Sequence, residues 1–339
     1  MKSINVAING MGRIGRTLLR LWAEEKMKGE GTSLNIVAVN NPGDAKIYTH
    51  LTKYDSCHGT FPASVSFENG KLTIDRYTLD FYSERDPANI PWDKNNVDIV
   101  IDCTGKFKEP ETLGLHLRGS VKKVVMCAPG KNLHGTFVMG VNHHLYNPKE
   151  HHIFSNASCT TNCLAPVAKV LQDTFGIESG LMTTVHAYTS DQMLLDGSHK
   201  DFRRARAAAL SMIPTSTGAA KSIGEVIPAL KGKLDGVAVR VPCADVSMVD
   251  LTVQLKKKTS KAEINSAMKT AAEGELKNIL AYCDEELVSI DFKGRKESSI
   301  FDASLTQVTE HTAKIVAWYD NEVGFSQRVL DLVSYVGKQ

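Results

Sequence analysis

The sequence predicts an α/β protein: a doubly wound parallel sheet over residues 1–158, then a second domain over residues 159–321 built on a mostly antiparallel sheet. Three observations carry this. The first half alternates short apolar strands with segments of helical period, the mark of a parallel sheet covered by helices. Beyond residue 155 the strands lengthen and alternate apolar with polar residues, as a sheet with one wet face requires. At 339 residues the chain is also too long for one small core.

Taken in order, residues 4–8 read as the first strand, and residues 13–24 carry Ile14, Leu18, Leu19, Leu21 and Trp22 at helical spacing. Residues 35–39, 97–101 and 121–126 supply further strands. Residues 110–117 read as a helix whose proline stands where a helix can start. In the second half, residues 236–241 and Ser247–Leu255 read as strands. Cys159–Phe175, residues 218–227, Lys261–Glu273 and residues 326–336 read as helices. The last of these, within residues 322–339, is expected to complete the first domain. Residues 188–216 show little apolar periodicity and several arginines, which predicts a long ordered loop; loops of that length usually serve function.

Composition excludes several classes. A hydrophobic fraction of 42% with 23% charged residues is that of an ordinary soluble domain. A net charge of +2 gives no field for nucleic acid or a membrane surface. The basic cluster Arg203, Arg204 and Arg206 is short and lacks interleaved aromatics. No apolar run is long enough to span a bilayer, and the start of the chain lacks the pattern of a signal peptide. Seven cysteines, an odd number without a framework, point to a reducing compartment, the cytoplasm. No metal is expected. Cys159 and Cys163 have no second pair nearby, and His143-His144 and His151-His152 sit among Asn and Lys in a solvated loop.

Two motifs carry chemistry. Gly10-Met11-Gly12-Arg13-Ile14-Gly15 follows a strand and opens a helix, the context in which G-x-G-x-x-G binds a dinucleotide in a Rossmann-type sheet. Gly10 and Gly12 permit close backbone approach, and the helix N-terminus attracts pyrophosphate. The second strand ends Val39-Asn40-Asn41, where a carboxylate would hold ribose hydroxyls and repel a 2′-phosphate. Neutral Asn41 leaves both NAD and NADP open. The second motif, Ser155-Asn156-Ala157-Ser158-Cys159-Thr160-Thr161-Asn162-Cys163, joins a strand end to a helix start. A thiol there feels unpaired amides and the positive end of the helix dipole, both favouring thiolate. His186 ends an apolar strand and could serve such a thiol as base.

The string from Ser155 to Asn162 resembles the active-site signature of glyceraldehyde-3-phosphate dehydrogenases. The likeness runs along nearly the whole chain, through Lys53-Tyr54-Asp55-Ser56, Glu84-Arg85-Asp86-Pro87, Cys103-Thr104-Gly105, Met139-Gly140-Val141-Asn142-His143, Ile213 to Lys221 and Trp318-Tyr319-Asp320-Asn321-Glu322. The resemblance implies Cys159 as nucleophile and His186 as its base. It implies a substrate-phosphate pocket of Thr189, Arg204 and Arg240, and an inorganic-phosphate pocket of Ser158, Thr160, Thr217 and Gly218. It also implies that Arg13 and Ile14 offer backbone to pyrophosphate, Arg85 lies near adenine, Thr104 and Gly105 line the cofactor cleft, and Asn321 holds the nicotinamide amide. The expected substrates are a small phosphorylated aldehyde and inorganic phosphate, and the expected assembly is a homotetramer.

Departures from the family pattern have consequences. Asn41 replaces the usual acidic residue, and Gly197-Ser198 stands where Leu-Pro is common. Ser198 resembles the residue of chloroplast relatives that accept NADP, so Asn41 and Ser198 together imply dual NAD and NADP use. Cys127 replaces a serine common near the nicotinamide, and Val323 and Phe325 replace usual aromatic residues. The nearest rival, erythrose-4-phosphate dehydrogenase, shares the cysteine and histidine but usually alters the stretch after the histidine. Here His186-Ala187-Tyr188-Thr189-Ser190-Asp191-Gln192 keeps the glyceraldehyde-phosphate form.

Overall fold

A computed structural model describes residues 3–29 and 32–339; residues 1, 2, 30 and 31 of the expected first domain lie outside the described residues. The chain forms two compact units. One comprises Met1–Phe137, His143–Ala157 and Ser326–Gln339, the other Val138–Asn142 and Ser158–Phe325.

In the first unit, strands β1 (Ile4–Asn9), β2 (Leu34–Asn40), β3 (Tyr54–Asp55), β4 (Gly59–Thr60), β5 (Val65–Glu68), β6 (Lys71–Ile74), β7 (Tyr77–Tyr82), β8 (Ile99–Asp102), β9 (Lys123–Met126), β10 (Gly135–Thr136) and β11 (Ile153–Ser155) follow in chain order. Nine of them make one sheet in the order β10-β11-β9-β8-β1-β2-β7-β6-β5, while β3 and β4 pair separately. The six pairings from β10 to β7 are parallel, and only the β7-β6-β5 edge is antiparallel. Strand β8 is buried at every position, which is why Ile99-Val100-Ile101 reads as a continuous apolar run.

Helix α1 (Arg13–Lys28) buries Leu18, Leu19, Leu21 and Trp22, the face its sequence spacing foretells. It runs past residue 24 because its stop signal is Gly29, left-handed at φ 71, whose N–H caps the carbonyls of Glu25 and Lys26. Helix α2 (Ala45–Lys53) does not figure in the sequence reading. Its start is set by Asp44, whose carboxylate accepts the N–H of Lys46. The helix read over residues 110–117 is shorter than expected. Helix α3 (Pro110–Leu113) gives way to a 3₁₀ turn at Gly114–His116, since glycine at this point weakens the α-helix.

In the second unit, helix α4 (Cys159–Phe175) is buried along most of its length, and α5 (Ala219–Val226) and α6 (Lys261–Glu273) follow. A Ser260–Glu263 capping box starts α6. Strands β12 (Ile177–Ala187), β13 (Ile213–Ser216), β14 (Leu234–Val241), β15 (Ser247–Leu255), β16 (Leu280–Cys283), β17 (Ser299–Thr309) and β18 (Thr312–Tyr319) form one sheet in the order β13-β14-β12-β15-β18-β17-β16. Four of its six pairings are antiparallel. Strand β15 alternates strictly between buried and half-buried residues, as its sequence requires. The stretch read as a loop over residues 188–216 holds no helix, but its last four residues are strand β13, paired with β14. Helix α7 (Val323–Val336) starts three residues earlier than its apolar pattern indicates, because Asp320 accepts the N–H groups of Glu322 and Val323. From Ser326 onward it belongs to the first unit, where Gln327 donates to Glu25.

Candidate active site

Cys159 is the first residue of α4. Ser158 caps the helix, its hydroxyl accepting the N–H of Thr161 at 3.0 Å, and the preceding Ala157 is left-handed at φ 59. His186 lies near the end of β12, so the thiol and the imidazole sit on a helix and a strand of one unit. The Cys159 Sγ is 3.5 Å from His186 Nε2. His186 Nδ1 lies 2.6 Å from the Ala187 carbonyl and 3.1 Å from Arg240 Nη1; in the tautomer that donates from Nδ1 to the carbonyl, Nε2 is the acceptor facing sulfur.

A helix N-terminus favours thiolate, but in the folded chain burial pushes the Cys159 thiol up, while Arg240 and hydrogen bonds from Thr160 pull it down. Burial, reinforced by the Arg240 charge, drives the His186 imidazolium down to about 3. Each group alone resists charging. A proton passed from sulfur to Nε2 leaves the pair neutral overall, so the reactive ion pair avoids the cost of one isolated charge.

A hydroxyl cluster holds the two elements. Tyr319 OH on β18 is 2.9 Å from Thr160 Oγ1 on α4 and 2.9 Å from Thr184 Oγ1 on β12. Ser247 Oγ accepts the N–H of Ala187 at 3.1 Å and donates to Asn321 Oδ1 at 2.7 Å. The residue before it, Val246, is left-handed at φ 67, a conformation a β-branched side chain rarely tolerates. Tyr319, Thr184 and Ser247 were not among the residues picked from sequence. Only Tyr319 had a signal there, as part of the string from Trp318 to Glu322.

The anion-pocket residues fall into distinct settings. Arg240 Nη1 donates to Ala187 O at 3.1 Å and to Thr189 Oγ1 at 3.3 Å, and its buried Nε has no protein partner among the described residues. A half-used guanidinium beside a threonine hydroxyl fits a phosphate. Arg204 differs: it is ion-paired with Asp191 and donates to Thr215 Oγ1 at 2.9 Å and Ser216 O at 3.2 Å. Every nitrogen of its guanidinium already has a protein acceptor, so an anion there must share it. Thr217 Oγ1 accepts the N–H of Ala219 at 3.2 Å at the mouth of α5, and Gly218 has open space where a Cβ would stand. The Thr160 hydroxyl is committed to the buried cluster with Tyr319.

In the first unit, Gly10 adopts φ 101, and a Cβ there would stand 2.9 Å from the Thr104 nitrogen. A Cβ on Gly15 would lie 2.0 Å from Gly10 O, whereas one on Gly12 would meet nothing within 4 Å. No side chain caps the start of α1. The turn is therefore closed where backbone packs on backbone and open where an incoming pyrophosphate needs room.

Residues 4–110 match the family model described as glyceraldehyde 3-phosphate dehydrogenase, NAD binding domain, and residues 158–321 match its C-terminal domain. The chain is 52% identical to glyceraldehyde-3-phosphate dehydrogenase 2 of Trichormus variabilis, over 99% of each chain. It is 51% identical to glyceraldehyde-3-phosphate dehydrogenase of Geobacillus stearothermophilus, again over 99% of each. It is also 51% identical to chloroplastic glyceraldehyde-3-phosphate dehydrogenase A of Zea mays, over 99% of this chain and 83% of that one. The chain belongs to the glyceraldehyde-3-phosphate dehydrogenase family.

Within that family frame, the residues expected at the dinucleotide site take these positions. Asn41 Oδ1 accepts the Met11 N–H at 2.9 Å and its Nδ2 donates to Pro42 O at 2.9 Å, so this side chain braces the glycine turn. Arg13 forms a two-pronged pair with Asp55, at 2.7 and 3.1 Å, leaving the α1 amides rather than the guanidinium to face a pyrophosphate. Thr104 binds Asp102 through its N–H at 3.1 Å and its hydroxyl at 2.7 Å. Asp102 is buried and also accepts the Asn9 side-chain amide at 2.8 Å, with His116 close by; sequence reasoning missed this network. Cys127 accepts a hydrogen bond from Cys103. Arg85 and Ser198 are exposed, and Ile14 lies in the first turn of α1.

Proposed function

We propose that this chain is a phosphorylating glyceraldehyde-3-phosphate dehydrogenase, converting D-glyceraldehyde 3-phosphate and inorganic phosphate to 1,3-bisphosphoglycerate through a thioester on Cys159. The observation that carries the reading is the 3.5 Å approach of Cys159 Sγ to His186 Nε2 beside Arg240, whose buried Nε has no hydrogen-bond partner among the described residues. Thr189 and Arg240 would hold the substrate phosphate, with Arg204 as a shared donor. Ser158, Thr217 and Gly218 would receive inorganic phosphate, with Thr160 fixing the helix that carries the sulfur.

The chemistry follows from these positions. His186 Nε2 takes the thiol proton as sulfur adds to the aldehyde carbon, and amides at the start of α4 stabilise the oxyanion. His186 hands that proton on to the oxyanion, giving the hemithioacetal hydroxyl, and takes it back as the hydroxyl carbon becomes the thioester carbonyl. A nicotinamide dinucleotide, when bound, supplies the hydride acceptor. Phosphate then attacks the thioester carbon, and the acyl phosphate leaves as the sulfur is freed. The turn from Gly10 to Gly15 would hold that dinucleotide, with Asn321 on its amide. Asn41 and Ser198 support use of both NAD and NADP.

A homotetramer in the cytoplasm accompanies this reading. The loop between β12 and β13 exposes Leu194, Leu195, Phe202, Leu210 and Met212, an apolar surface that a second copy would cover. No helix among the described residues is long and apolar enough to cross a membrane.

Cys159→Ser tests the reading. It is expected to lower kcat by about a thousandfold or more without unfolding the protein. Turnover equal to the parent's would end the covalent route.

A further inference from the structure

The C-terminal ends of β8 and β9 carry a second pair of thiols that the proposed reaction does not use. Strands β8 and β9 are parallel, with Asp102 opposite Met126, so Cys103 and Cys127 are the next pair in register. Adjacent strands run about 4.8 Å apart. That spacing lies inside the roughly 4.4–6.8 Å range that a disulfide spans between Cα atoms. The two sulfurs are 3.5 Å apart, both residues are half-buried, and both thiols are free.

The pair is also asymmetric. Cys103 donates its S–H to the Cys127 sulfur, which leaves Cys127 as the acceptor of the pair. Burial and that same hydrogen bond push the Cys103 thiol well up. Cys127 is thus the sulfur suited to attack an oxidant, and Cys103 the one suited to resolve the product.

We propose that Cys103 and Cys127 are a peroxide-oxidised thiol pair that controls dinucleotide affinity. The Cys127 thiolate attacks one peroxide oxygen, breaking the O–O bond and giving a sulfenic acid and hydroxide. The Cys103 sulfur then attacks the sulfenic sulfur and loses its proton, and water leaves as the disulfide forms. The two thiols together lose two electrons, and the peroxide gains them.

The link to the cofactor is mechanical. Cys103 and Thr104 pack directly on the glycine turn: a Cβ on Gly10 would stand 3.0 Å from the Cys103 carbonyl carbon and 2.9 Å from the Thr104 nitrogen. Strand β9 flanks β8 on the side opposite β1. Closing the sulfur gap from 3.5 Å to a disulfide length of about 2 Å turns both side chains and loads the Cys103-Thr104 segment that packs on Gly10. The turn that must meet pyrophosphate is loosened, and the released thiols restore it.

This proposal rests on the dinucleotide-binding reading, and its test separates the two. Full-length Cys159→Ser protein, which removes the competing nucleophile, is treated with hydrogen peroxide. It is then mapped by non-reducing peptide mass spectrometry and titrated with NAD. The expected result is a Cys103–Cys127 linked peptide and an NAD dissociation constant about tenfold weaker, both reversed by dithiothreitol. Adding Cys103→Ser should abolish both the link and the peroxide effect. Absence of the linked peptide, a linked protein with unchanged affinity, or a loss of affinity that persists in Cys103→Ser would each overturn it. If the reduced protein failed to bind NAD, the dinucleotide reading would fall, and the mapping would still decide the sulfur pair.

Discussion

His186 Nδ1 lies 2.6 Å from the carbonyl of its own neighbour, Ala187, and in the tautomer that donates to it Nε2 is the acceptor facing Cys159. The ring is buried and held uncharged down to about pH 3 by that burial and by Arg240. Between the ordinary histidine value near 6.5 and about 3, the unfolded chain binds a proton that the native chain refuses. Native stability from this residue is therefore intact above the upper value and falls as pH drops through the window, by at most ~1.4 kcal/mol per pH unit. Urea unfolding at pH 7, 5.5 and 4.5 should show a shallower acid loss for His186→Asn than for the parent. Equal slopes would refute the assignment.

Arg240 acts on sulfur and imidazole at once, lowering the thiol's proton affinity and discouraging the imidazolium. Arg240→Leu should slow iodoacetamide alkylation of Cys159 at pH 8 by several-fold and move its pH midpoint upward. The aldehyde KM should rise by about a hundredfold, since a charge-assisted contact to phosphate is lost. An unchanged alkylation profile would remove Arg240 from the sulfur's environment.

The glycine turn separates binding from folding. Gly15→Ala places a Cβ against Gly10 O and should destabilise the fold by about 2 kcal/mol or more. Gly12→Ala enters open space and should leave the urea midpoint in place while weakening NAD binding at least about tenfold. Equal effects on stability from the two variants would contradict this account of the turn.

For cofactor choice, Asn41→Asp keeps the oxygen that accepts the Met11 N–H and adds a negative charge. NADP kcat/KM should fall by about a hundredfold while NAD changes only a few-fold. A parent preference for NAD above about a thousandfold would end the dual-use reading.

Much of this was legible in the sequence, for reasons particular to each element. Helix α4 was bounded correctly because its cap, Ser158, and its terminal Gly176 are both explicit signals, and β15 because its burial alternates without a break. Cys159 stood out in the string from Ser155 to Cys163, and His186 was linked to it by the family resemblance; the structure places the two side chains 3.5 Å apart. What stayed hidden depends on long-range contact. The β17-β18 hairpin turns at Glu310, left-handed at φ 54, which no Gly or Asn announces. Ser247 matters only because a strained Val246 brings it to Ala187 and Asn321. Arg204 looked like a free phosphate ligand until Asp191, thirteen residues earlier, closed on it.

The phenol of Tyr319 ties the element bearing the sulfur to the one bearing the imidazole, and it arrives near the very end of the polypeptide. During synthesis, Cys159 and His186 leave the ribosome well over a hundred residues before the side chain that bridges their elements. Until translation is nearly finished, a growing chain therefore lacks the hydroxyl that joins α4 to β12.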